Sequence, residues 1–73
     1  GKKVLELNTG LEAEELIKAI KKLKLEYQEV LTLKYVDELH IDEIAEITGK
    51  GSIAVRVTLH RALKKLKDLT GSD

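Results

Sequence analysis

Arg56, Val57, His60, Arg61 and Lys64 recur at i, i+1, i+4, i+5 and i+8. On an α-helix that spacing gathers all five on one face. The chemistry they could do together is recognition. A guanidinium is a planar fork of donors that matches the two acceptors on the major-groove edge of guanine. An imidazole can donate to a base acceptor or to a phosphate, and a valine on such a face would suit a thymine methyl. For Val57 the alternative of partial burial at a helix crossing stays open. Lys50 and Ser52, with the amides at the start of the same helix, are candidates for phosphate contacts, since helix N-termini attract anions. For Lys64, Lys65 and Lys67 the rival reading is a solvated helix end that interacts favourably with the helix dipole. His60 could equally be a surface histidine.

These residues need a helix held at a fixed angle, and the chain upstream supplies one. Ile41 to Ile47 reads as a short helix with Ile44, Ala45 and Ile47 facing inward. Thr48-Gly49-Lys50-Gly51 reads as a turn, and a long helix begins at Gly51 or Ser52 and runs to about Leu69. Two helices of unequal length across a glycine-bearing turn make a helix-turn-helix. Three positions carry its mechanics. Ala45 is small where the helices would cross, Gly49 supplies a positive φ at low cost, and Val55 is a compact apolar residue that packs the second helix back on the first. Ile53, Val55, Leu59, Ala62, Leu63 and Leu66 form the expected apolar stripe of the long helix.

Two further helices are expected before this unit. Leu11, Leu16, Ile20 and Leu23, with Ile17 beside them, run at helical spacing over roughly residues 11–23. Thr9-Gly10-Leu11-Glu12 fits a capping box at its start. Leu25 to Val36 is the second stretch, and Asp37 to His40 a connector. No Gly or Pro marks the break near Lys24, so one longer helix remains an alternative. The expected organisation is a leader over 1–8, an all-α, four-helix domain over 9–69 and a tail over 70–73.

Composition narrows the function classes. Seventy-three residues make one small domain. There is no Cys, so disulfides and thiolate metal sites are excluded, and His40 and His60 lie too far apart to suggest zinc. No metal and no cofactor is expected. Apolar runs never exceed three residues, which gives neither a membrane span nor a signal core and suits the cytoplasm. No nucleophile elbow or phosphate-cradling loop is present, so no enzyme is expected. Net charge is zero, yet its distribution is uneven. Residues 25–49 carry seven acids against Lys34, whereas residues 50–67 carry six basic residues and no acid. A basic block confined to one helix is the footprint of a nucleic-acid binder.

Three stretches, Tyr27 to Leu39, Ile41 to Lys50 and Ala54 to Leu66, resemble region 4 of bacterial sigma factors, most nearly the extracytoplasmic-function type. With the first helix included, the resemblance covers about residues 11–68. It implies a domain that reads the −35 promoter element in duplex DNA during transcription initiation. It also implies docking on the beta flap of RNA polymerase core and, in many members, sequestration by an anti-sigma factor. Carried over residue by residue, Arg56, Val57, His60 and Arg61 match positions that approach bases, and Thr58 and Lys64 match positions near the backbone or groove edge. Some residues depart from the pattern. Pro is missing between the first two helices, His40 stands where a Ser cap is common, and Thr58 stands where many members have Arg. The other sigma regions are not in this sequence, so an isolated domain or fragment, acting as a monomer, is expected. Two rivals remain. One is a response-regulator-type output domain. The other is a protein-interaction module, built on the acidic block, that binds the polymerase flap or an anti-sigma factor with weak DNA affinity of its own.

Overall fold

A computed structural model describes residues 12–71. Among them α1 spans Ala13–Ile20, α2 Leu25–Leu31, α3 Ile41–Thr48 and α4 Ser52–Thr70, and a single π-helical turn, Thr32–Val36, continues α2. No strand occurs among the described residues, which agrees with the all-α, four-helix expectation. The leader 1–8, the capping residues Thr9 to Leu11 and the end of the tail lie outside them. Glu12 is not in the first turn of a helix, as the capping box required. It is itself the extended residue before α1, with ψ 160°.

The boundary between α1 and α2 is real, and the single long helix is ruled out. The amides of Lys22 and Leu23 donate to the carbonyls of Ala19 and Ile20 at 3.1 and 3.0 Å, so α1 tightens as it ends. Lys24 then turns extended, with ψ 149°. Carbonyls left over at such an end need donors, and one side chain supplies them. Gln28 Nε2 donates to the carbonyl of Leu23 at 2.8 Å and, more weakly, to that of Lys21 at 3.4 Å. The expected helix to Val36 loses its α register at Thr32. The amide of Asp37 reaches back five residues to the carbonyl of Thr32 at 2.9 Å, and Leu39 reaches Leu33 at 3.0 Å. Glu38 closes this turn at φ 56°, a left-handed conformation uncommon outside glycine.

One core joins all four helices. Leu16, Val30, Leu31, Ile44, Val55, Ala62 and Leu66 are fully buried, with Ile20, Tyr27 and Leu59 nearly so. α4 packs most extensively on α2 and next on α3. Deleting a fully buried Leu or Ile side chain here would cost about 2–5 kcal/mol, a large share of what so small a domain can hold. Two inward assignments are corrected. Ile47 is 61 % exposed and Ile53 is 80 % exposed. At about 100° per residue, Ile41, Ile44, Ala45 and Thr48 share the inner arc of α3, and Ile47 falls outside it. Ile53 lies about 200° round α4 from Val55. No helix among the described residues is long and apolar enough to cross a membrane.

Candidate nucleic-acid interface

α3 and α4 meet across the turn in the way the helix-turn-helix reading required. Gly49 ends α3 at φ 73°, where any side chain would meet the left-handed penalty. Val55 is fully buried, and Ala45 packs half-buried against the core. The start of α3 is held by Glu43, whose Oε1 accepts from the backbone amide of His40 at 2.9 Å. His40 therefore occupies the cap position, and the carboxylate one turn on supplies the bond that its main chain needs. α4 begins after Gly51, which is extended with ψ 157°. The amide of Val55 closes the first turn on the carbonyl of Gly51 at 3.0 Å.

With Val55, Leu59, Ala62 and Leu66 turned into the core, the opposite side of α4 faces solvent. Arg56, Val57, His60, Arg61 and Lys64 are all exposed. Val57, at 43 % exposure, lies on this outer face rather than at the helix crossing. Arg56, Arg61 and Lys64 enter no ion pair among the described residues. Ile53 joins the same face. It lies within the arc of roughly 140° that holds the other five, one turn ahead of Val57. Composition drew it to the apolar stripe, but its angle from Val55 points it outward.

The turn-edge residues are differently placed. Lys50 Nζ lies 3.2 Å from Glu26 Oε2, an ion pair with half-exposed partners. Ser52 Oγ donates to Asp42 Oδ1 at 2.9 Å and so ties the first turn of α4 to the first turn of α3. Thr58 is half-buried on the flank of α4, away from the outward face. The structure therefore brings the base-facing candidates and Lys64 together, while Lys50 and Ser52 are each engaged by a carboxylate.

The amino-acid sequence matches the family described as sigma-70, region 4, over residues 13–66. That span takes in all of the core and all of the outward face. The chain belongs to the sigma-70 region 4 family. Among its relatives, the RNA polymerase sigma factor SigV of Bacillus subtilis is 37 % identical over 60 residues, covering 81 % of this chain and 36 % of its own length. The RNA polymerase sigma factor YlaC of the same organism is 43 % identical over 61 residues, covering 84 % of this chain and 35 % of its own length. The chain thus spans about a third of the length of the curated relatives it matches. No solved structure matches it. The resemblance read from Tyr27 to Leu66 is borne out, and the response-regulator alternative is set aside.

Proposed function

We propose that this region 4 domain recognises the −35 element of a promoter in duplex DNA and serves transcription initiation as the C-terminal reader of a sigma factor. The observation that carries the reading is the outward face of α4. Arg56, His60, Arg61 and Lys64 stand exposed on the second helix of a helix-turn-helix whose angle is fixed by buried Val55, Leu59 and Ala62. A recognition helix in the major groove uses such a face, mostly its N-terminal part, on base edges. Ile53, Arg56, Val57, His60 and Arg61 read bases in this proposal. Lys50, Ser52, Thr58 and Lys64 serve the backbone, Lys50 and Ser52 by exchanging their carboxylate partners for phosphate. The domain works as a monomer held on RNA polymerase core through the beta flap.

Titration into labelled duplexes bearing candidate −35 elements and a scrambled control, at two salt concentrations, tests this. Sequence-preferring binding that weakens steeply with salt and disappears in the Arg56→Ala, Arg61→Ala double variant is the expected result. Absence of any sequence preference at low salt would overturn it for the isolated domain.

A second reading rests on the exposed side of α2 and the π turn that follows it. Leu25 is 80 % exposed and, with Leu33, lines a shallow apolar groove beside Gln28 and Glu29 of α2 and Thr32 of the π turn. An exposed leucine beside Glu29 in an apolar groove, on the segment that carries the acidic block, suits a protein partner such as the polymerase flap or an anti-sigma factor. A single small DNA module also gains from being held by such a partner.

A further inference from the structure

A groove runs between α2 and α4, lined by Tyr27, Arg61, Lys64, Lys65 and Asp68. Tyr27 is only 9 % exposed, and its hydroxyl takes part in no hydrogen bond among the described residues. Since no side-chain polar atom among them is both buried and unpartnered, that hydroxyl keeps contact with solvent, and Tyr27 lines the groove. Above the ring stands Lys24, with Nζ 5.6 Å from the centroid, close enough for a cation–π contact. Arg61, Lys64 and Lys65 are exposed and enter no ion pair among the described residues. A nearly buried phenol with a solvent-exposed hydroxyl shares this groove with three cations that enter no ion pair among the described residues, a donor-rich set with Asp68 as its one acidic neighbour. Asp68 disfavours an anion at its own end and leaves the stretch between Tyr27 and Lys65 as the place for one. A phosphate group fits this set, with several acceptor oxygens and a full charge to meet it.

We infer that this groove is a phosphate-binding seat, and that its occupant is a backbone phosphate of the duplex engaged by α4. The inference rests on the proposed function. The seat is continuous with the base-facing side of the helix, because Arg61 belongs to both and Lys64 stands beside it on the exposed face. Lys65 lies only about 40° further round than Arg61. A helix lying in the major groove is bordered by phosphates of both strands, and contacts to them set its register without reading sequence. The turn with Lys50 and Ser52 is one border of the reading face, and this groove is another.

The test uses Tyr27→Phe, which keeps the buried ring, and Lys65→Gln, on an exposed position. Neither residue belongs to the base-facing set. Each variant should weaken the candidate and the scrambled duplex by the same factor, roughly three- to tenfold, with an unchanged melting temperature. Lys65→Gln should also make the dependence of log K on log salt shallower by about 0.9, whereas Tyr27→Phe should not. A parallel NMR titration of the free domain with inorganic pyrophosphate separates the two sources of phosphate. Duplex binding unmoved by both variants, with pyrophosphate shifting the Tyr27 and Lys65 resonances, would assign the seat to a free phosphorylated ligand and overturn the backbone contact. No effect in either arm would overturn the seat altogether. In that case the Arg56→Ala, Arg61→Ala variant still decides the promoter reading by itself.

Discussion

Lys50 Nζ lies 3.2 Å from Glu26 Oε2 and links the turn of the helix-turn-helix to the first turn of α2 across 24 positions of sequence. The pair is half exposed, so its contribution to stability is small. Its effect on binding should be larger, because DNA phosphate and Glu26 compete for the same ammonium. Glu26→Gln should leave the melting temperature within a degree or two. It should tighten duplex binding roughly three- to tenfold at low salt and steepen the salt dependence by about one ion. In a Lys50→Gln background the same substitution should lose most of its effect. Equal effects in both backgrounds, measured by fluorescence anisotropy, would mean that Glu26 acts only through long-range repulsion.

The break between α1 and α2 offers a stability test. Lys24 is extended, with ψ 149°, and Leu25 is the first residue of α2, 80 % exposed. Proline is favoured at the first helical position, where the amide has no helical partner, and it prefers an extended residue before it. Leu25→Pro should therefore stabilise the fold by about 0.4–1 kcal/mol, chiefly by restricting the unfolded chain. For a domain of this size that raises the melting temperature by about 2–8 °C. A fall on thermal denaturation would show that Leu25 packs usefully despite its exposure.

The residues that set the fold were legible where one local rule decided them. Gly49 was read as a left-handed stop, and it is one. Val55, Leu59, Ala62 and Leu66 stood at core spacing, and they are buried. The break at Lys24 left only a phase shift, because the group that secures it, the Gln28 amide on the Leu23 carbonyl, is a tertiary choice that no turn residue announces. The π turn at Thr32–Val36 was invisible for a similar reason, since its residues suit an ordinary helix. Ile47 and Ile53 were misread because hydrophobicity was weighed ahead of angle. The recruitment of Lys50 and Ser52 by Glu26 and Asp42 depends on how α2 and α3 meet the turn, which the order of residues does not reveal.

Tyr35 gives a pH dependence. Burial raises its phenol above the ordinary value of 10.0, because a low-dielectric surrounding disfavours the charged form. Below pH 10 the phenol is neutral in both folded and unfolded chains, and its contribution is fully present. As pH rises past 10.0 the unfolded phenol ionises first, the folded state holds the extra proton, and stability falls until the folded phenol ionises too. Tyr35→Phe should flatten the alkaline limb of a melting-temperature profile and leave the neutral region nearly unchanged. An alkaline limb identical in both proteins would show that Tyr35 is not its source.

Ile53 and Val57 stand four residues apart on the outward face of α4, 80 % and 43 % exposed. An apolar pair in solvent gains nothing there unless a partner covers it. In the major groove the apolar feature that distinguishes one base from the rest is the thymine methyl. If these side chains read bases, replacing thymine by uracil at single positions of the bound duplex should weaken binding at one or two of them. The loss should be about 1 kcal/mol, the order of one buried methylene. Ile53→Ala should abolish the penalty at one of those positions while leaving the guanine-dependent discrimination of Arg56 and Arg61 in place. The truncation should cost little in folded stability, since Ile53 is 80 % exposed and lies outside the core. A uracil series without effect in the wild-type domain would remove both residues from the base-reading set and confine sequence reading to the arginines and His60.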